Sequence, residues 1–517
     1  MSVEPETSSP FSLRRIILGV LTLLVALVIG QALVNSWQEP QIASRLQLYQ
    51  TDLLLEASEW DSSTLPEQSV TTIRQGLLGN DPIQTSLQQY QEVKATAEAN
   101  LEASQNSGDG AMPGLPTDEA PQVPKRLRNA WQQQQQLVQQ LDMRIGLLQA
   151  ERGNLKQAQA AWSQLSQAAD VQPGIQQTAQ VLSRLWQEPA QVMPEAETQV
   201  QTYLDGWFRY RALERLYQVA GDDAAREALL AQERDAAEQT LLRLAVIGIL
   251  PFLGGLAGTA LLLFVVLQRW LQREQSWLMT NAGVTWDTPW SWEIIWQVLI
   301  VGFFFLGQIF LPLILGSLGL GLASLGSRGR ALYATLYYLL MAAGGLAVLF
   351  FSIRAYRPLP PDWFRIDWKG GWRWGLGGYL AALPLMFGIS LVNQQLWQGQ
   401  GGSNPLLQTV LEENDAIALA LFFFTAAIAA PVFEEILFRG FLLPSLTRYL
   451  PVSAAIGASS LLFATAHLSL SEVLPLTVLG IVLGTIYTRC RNLLAPILLH
   501  SAWNSITMAG LLLLGAG

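Results

Sequence analysis

This chain of 517 residues predicts an all-α fold, a polytopic membrane helix bundle carrying one helical domain outside the bilayer. Three observations lead there. Half of the residues are hydrophobic and only 14% are charged, which is high and low respectively for a water-soluble globular chain. The charge is also unevenly spread. Between Trp37 and Thr240 stand 27 acidic and 15 basic residues, a net −12, which leaves +3 for the rest of a chain whose total is −9. Finally, apolar stretches near the ~20 residues that a helix needs to cross a bilayer occur at 16–36, 244–267, 294–316, 331–352, 374–393, 416–446, 451–470, 473–489 and 493–515.

In chain order, residues 1–36 read as a short tail and an anchor helix. The apolar run follows Arg14 and Arg15. Gly30-Gln31-Ala32 faintly resembles a cleavage site, but the run is long for a signal peptide, so an uncleaved anchor is expected. Residues 37–240 are rich in Gln, Ala, Leu and Glu and read as an acidic helical domain, interrupted by an exposed loop or linker at Ser104–Pro124. The five glutamines 132–136 after Trp131 read as a solvated helical face. Two pieces, Ala150–Trp162 and Leu216–Ala228, resemble tetratricopeptide helix pairs, whose stacked form makes a groove for peptides. Two imperfect copies fall short of the three or so that a solenoid needs, so a generic helical bundle stands beside that reading.

Residues 241–517 hold the remaining eight apolar stretches. Lys and Arg placement in short loops sets orientation. Basic residues follow the second span (Arg269, Arg273), the fourth (Arg354, Arg357, Arg365, Lys369, Arg373), the sixth (Arg448) and the eighth (Arg489, Arg491). The loops 394–415 and 471–472 have none, although Arg328 and Arg330 break the pattern. A cytoplasmic N-terminus is therefore expected, with 37–240 on the extracytoplasmic side. No basic arm or stripe points to nucleic acid. The single cysteine, Cys490, has no intrachain partner for a disulfide.

Charged side chains at the centre of a membrane helix cost roughly 2.5–3.5 kcal/mol each, so ionisable residues there are functional candidates. They cluster in the last hundred residues. Pro431-Val-Phe-Glu434-Glu435-Ile-Leu-Phe-Arg439-Gly440 puts Glu435 and Arg439 one helical turn apart, able to pair, with Glu434 pointing about 100° away. A carboxylate in a low-dielectric pocket suits general-base work. Phe463-Ala-Thr-Ala-His467 sets an aromatic ring and an imidazole on one helical face, and His500-Ser-Ala-Trp-Asn504 aims an imidazole and a carboxamide at one point, as an oxyanion hole requires. His467 and His500 are the only histidines in the chain. Each motif alone also admits an architectural role.

Together and in this order, Glu434-Glu435-x-x-x-Arg439, Phe463-x-x-x-His467 and His500-x-x-x-Asn504 resemble the three motifs of the type II CaaX prenyl endopeptidase family, also called CPBP intramembrane proteases (CaaX proteases and bacteriocin-processing enzymes). No motif position departs from the family pattern. The resemblance covers about 416–515 and implies an eight-helix protease core, with the first span as an added anchor. It implies that Glu434 with His467 positions and deprotonates a water, that His500 and Asn504 stabilise the oxyanion, and that Glu435 and Arg439 hold the first motif in place. It says nothing about 37–240, where recruitment of a protein partner or substrate is expected. The expected function is endopeptidase cleavage of membrane-associated or CaaX-type substrates without a cofactor. One alternative is a zinc-dependent intramembrane metalloprotease using the same residues. Another, from a different class, is a non-catalytic membrane scaffold or substrate-recruiting receptor; a transporter is a weaker third. The Gly254-Gly255 and Gly344-Gly345 pairs are compatible with a transporter but are read here as points of close helix packing.

Overall fold

The computed structural model describes residues 12–37, 39, 41, 43–61, 66–108, 125–318, 325–411 and 413–515. Every extended element among them is a helix. The chain divides into two compact units, Met1–Ile42 with Leu250–Ala516, and Ala43–Ile249. Each is described by itself.

The unit Ala43–Ile249 is a run of helices in which neighbours in sequence are largely neighbours in space: Pro82–Gly108 lies on Lys125–Glu151, Lys125–Glu151 on Leu155–Gln167, and Leu155–Gln167 on Pro173–Leu185. The helix Pro82–Gly108 continues through Ser104–Gly108, where the sequence predicts a loop, and 109–124 lie outside the described residues. Trp162, Leu182, Trp207 and Phe208 form the centre of its core. Both pieces that resemble tetratricopeptide pairs are helix–turn–helix units. Each turn rests on a glycine in the left-handed region, Gly153 at φ 78° and Gly221 at φ 72°, which a side chain would strain. The excess acid is partly bridged by two arginines. Arg144 spans Asp52 and Asp205, and Arg211 spans Glu59 and Glu214.

In the unit Met1–Ile42 with Leu250–Ala516, helices long and apolar enough to cross a membrane include Leu13–Trp37, Trp292–Ser317, Ser327–Tyr356, Trp368–Trp397, Ala416–Leu446, Leu470–Cys490 and Leu494–Gly515; Asp223–Gln275 brings the described residues to eight. The protein is a multi-pass integral membrane protein. The sequence predicts nine spans, but the stretch 451–470 forms only a 14-residue helix, Val452–Thr465, too short to cross at 1.5 Å per residue. It stops because the chain turns at His467–Ser469, with Leu468 in the left-handed region at φ 59°, and starts the next helix at Leu470. The apolar stretch counted from the sequence runs past this turn to Leu470, so hydropathy overstates the length of the helix.

Two of these spans contain π-helical turns, Val298–Phe310 in Trp292–Ser317, and Thr425–Ala429 with Ile436–Leu442 in Ala416–Leu446. A π turn frees carbonyls from the usual helical ladder, and in an apolar medium each needs another donor. Side chains from neighbouring helices supply them: Tyr337 to the carbonyl of Gly307, Asn504 to that of Ala426, and Ser459 to that of Phe438. Some basic loop residues have structural partners as well. Arg448 donates to the carbonyls of Thr288 and Trp290, and the Arg491 guanidinium lies 3.6 Å from the Trp286 ring centroid.

Candidate active site

The first motif lies where the helix Ala430–Glu435 passes into the π turn Ile436–Leu442. Glu435 and Arg439 are four residues apart and fully buried, and Arg439 Nη1 donates to Glu435 Oε1 at 2.7 Å. The guanidinium also lies 4.5 Å from the Phe463 ring centroid, and its Nη2 donates to the Gly480 carbonyl. Burying both charges is tolerable only because they are paired and hydrogen-bonded.

Glu435 has a second partner. His500 Nδ1 lies 2.8 Å from the same Oε1. If the carboxylate accepts there, Nδ1 carries the proton and Nε2 becomes the nitrogen that faces the site. Nε2 stands 4.0 Å from Glu434 Oε2. His500 is thus seated between two adjacent carboxylates, one orienting it and the other facing its working nitrogen. Glu434 keeps 13% side-chain exposure against 0% for Glu435, so it is the one that water can reach. Its other oxygen, Oε1, accepts a hydrogen bond from the Tyr338 hydroxyl at 2.9 Å.

Phe463 forms the wall shared by both histidines. Its ring meets His467 at 5.0 Å and His500 at 5.7 Å, edge-on in each case. His467 sits just past the end of its helix, with Nδ1 3.0 Å from the Phe463 carbonyl, an arrangement that leaves Nε2 for a ligand. Asn504 is directed elsewhere than His500: its Nδ2 donates to the Ala426 carbonyl at 2.8 Å. A carboxamide nitrogen has two hydrogens, and this bond uses one.

The turn bearing His467 is held by the first span. Ser36, buried at the end of Leu13–Trp37, accepts from the Leu470 backbone N–H at 3.0 Å and donates to the Gly401 carbonyl. The same carbonyl takes the Ser471 N–H and the Ser469 hydroxyl. The Gly402 N–H donates to the Glu39 carbonyl, completing the tie.

Among the described residues no three His, Cys, Asp or Glu side chains gather around a point that would hold a metal ion. Glu435 engages the Nδ1 of His500, and the residue one turn after His500 is an amide, a poor zinc ligand.

Sequence reasoning named seven of these residues and missed Tyr338 and Ser36. Neither gives a sequence signal, because a tyrosine within a span and a serine at its end acquire meaning only through the helices they meet.

Buried acid and base groups brought together by membrane-length helices define a polytopic membrane protein with the side chains for proton-transfer chemistry. Residues 416–506 match the model of the family described as type II CAAX prenyl endopeptidase, Rce1-like, so the resemblance carried by the three motifs is borne out over that segment. Among curated proteins the chain is 26% identical over 135 residues to "Putative membrane peptidase YdiL" of Bacillus subtilis (strain 168). That match takes in 26% of this chain and 54% of the relative, so the chain spans about half the length of the curated relative it matches. No solved structure matches.

Proposed function

We propose that the chain is an intramembrane endopeptidase that hydrolyses peptide bonds of membrane-associated or CaaX-type substrates without a metal. The observation that carries this reading is the seating of His500 between Glu435, at 2.8 Å, and Glu434, at 4.0 Å. Glu434 Oε2 takes a proton from a water that His467 helps to steer, and the water oxygen attacks the carbonyl carbon. The carbonyl π electrons move to oxygen, where His500, carrying a proton on Nε2 as well as on Nδ1, and the second N–H of Asn504 stabilise the charge. The C–N bond then breaks, and the proton held on Glu434 passes to the leaving nitrogen. Glu435 orients His500, and Arg439 balances Glu435. In this reading the N-terminus is cytoplasmic, and residues 37–240 lie across the membrane and recruit or filter substrates.

The test is turnover of quenched fluorescent peptides, with and without a prenylated C-terminal cysteine, by purified protein in lipid nanodiscs. Glu434→Gln is expected to lose about 10²–10⁴-fold in kcat, the range typical of general acid–base catalysis. His467→Ala and His500→Ala should be similarly inactive, and combining the changes should add little, because the groups act as a unit. Full turnover by a well-folded Glu434→Gln protein would remove the base assignment.

A further inference from the structure

The helix Ser327–Ile353 carries none of the three motifs and lies outside 416–506, yet it reaches the candidate base. The Tyr338 hydroxyl donates to Glu434 Oε1 at 2.9 Å, and the ring stands edge-on to Phe433 at 6.2 Å. Gly345 lies seven residues further on, two turns along the same face. A methyl group there would meet the Gly302 carbonyl at 2.8 Å and the Phe433 ring at 3.0 Å. The missing side chain therefore allows the approach that brings Tyr338 to the helix carrying Glu434. Phe433, one residue before Glu434, packs on both.

A glutamate side chain turns about three bonds, and its last torsion is broad. Left untethered, the carboxylate would present either oxygen over a range of positions, and a misplacement near 1 Å costs about 10²-fold in rate. The two oxygens of Glu434 are not equivalent here. Oε1 is occupied by a phenol from a neighbouring helix, and Oε2 faces His500. We propose that Tyr338 is a positioning residue for the water-activating carboxylate. It occupies Oε1 and fixes the rotation of the group, so that Oε2 alone is offered to water and to His500. This rests on the reading of Glu434 as the base.

The test separates the hydroxyl from the ring. Tyr338→Phe keeps the packing against Phe433 and removes only the donor. In nanodiscs it is expected to lower kcat about tenfold or more on a short peptide, while KM stays within about twofold, because the bond acts on the chemical step and not on binding. Genetically encoded 3-fluorotyrosine and 3,5-difluorotyrosine at 338 retain the donor and strengthen it, and kcat should follow donor strength through the series. Full kcat in a folded Tyr338→Phe protein overturns the proposal. So does a kcat that is flat across the fluorinated series, which decides the matter even if the Phe variant folds poorly. Glu434→Gln run in parallel keeps the two readings apart. If it is inactive while Tyr338→Phe is fully active, only the positioning role fails; if it is active, the base assignment fails and takes this proposal with it.

Discussion

Arg439 offers the sharpest test of what holds the site together. Its guanidinium is buried against Phe463 and bonded to a carboxylate that is itself fully buried. Replacing it with Met preserves much of the side-chain volume and removes the charge. Glu435 then keeps only the imidazole of His500, and a buried ion left without its partner costs ~3–5 kcal/mol. At roughly 2–4 °C per kcal/mol, the thermal midpoint of the purified protein should fall by about 10 °C. Glu435→Gln in the same molecule removes the stranded charge, and its amide oxygen still accepts from His500 Nδ1. The double variant should therefore recover more than half of the lost stability, since replacing a buried pair by neutral groups of similar size is often neutral or better. Intrinsic-fluorescence melts in detergent, run on wild type, both single variants and the double variant, form a double-mutant cycle that isolates the pair. An Arg439→Met midpoint equal to wild type, or a double variant with purely additive losses, would refute this account.

Three further outcomes are expected. In the unit Ala43–Ile249, burial pushes Asp52 up to about 6, against opposition from Arg144 and from the Tyr90 hydroxyl, and burial followed by Glu56 and Glu59 pushes Glu233 up to about 8. Both groups bind protons more readily folded than unfolded, so stability is greatest in acid and falls as pH rises from about 4 towards 8. Asp52 accounts for on the order of 3 kcal/mol of this by linkage, and amide hydrogen exchange of the helices Ala43–Ala57 and Pro82–Gly108 in the full chain should slow at pH 5 relative to pH 8 after correction for the intrinsic rate, with protection that rises towards pH 8 counting against the assignment. Exhaustive treatment with a strong chelator should leave turnover intact and the purified protein substoichiometric in zinc, whereas activity that vanishes and returns with added zinc would transfer these residues to a metal mechanism. Replacing 40–238 with a flexible linker should leave cleavage of a short peptide nearly unchanged and reduce cleavage of a native protein substrate severalfold or more, as loss of a recruiting module does; equal losses on both would mean that the domain supports the bundle.

The membrane fold and the ionisable cluster were legible because both violate expectation locally. Long apolar stretches announce spans, and Glu434, Glu435, Arg439, His467 and His500 stand out within them because such residues are costly there. What stayed hidden depends on backbone irregularity or on contacts between helices. The end of Val452–Thr465 leaves no glycine or proline mark, because Leu468 makes the left-handed turn. The shared aim expected of His500 and Asn504 assumed regular surroundings, whereas the π turn at Thr425–Ala429 presents a carbonyl that draws the amide. Tyr338 lies 96 residues from Glu434, and without a packing partner nothing distinguishes it from its neighbour Tyr337. The arginines around the basic loops were read only for orientation, yet Arg448 and Arg491 also secure the segment around Trp286–Trp290.

The first span belongs with this second group. By resemblance it is an addition to an eight-helix core, and as an anchor it would need only apolar length. The structure gives it more specific partners. Arg15 pairs with Glu293 at 2.6 Å, Thr22 accepts from the Trp296 indole, and Ser36 joins the Gly401 carbonyl to the Leu470 N–H. These contacts tie both ends of the helix to the bundle, and the last of them lies three residues from His467. A tether requires none of them, and a buried serine satisfied as both donor and acceptor is costly to disturb. The short helix Val452–Thr465 explains why such support is useful. Its imidazole stands on a turn and not within a continuous span, so the position of His467 depends on whatever fixes residues 468–471. The end of the first span does this, which makes it part of the scaffold of the site.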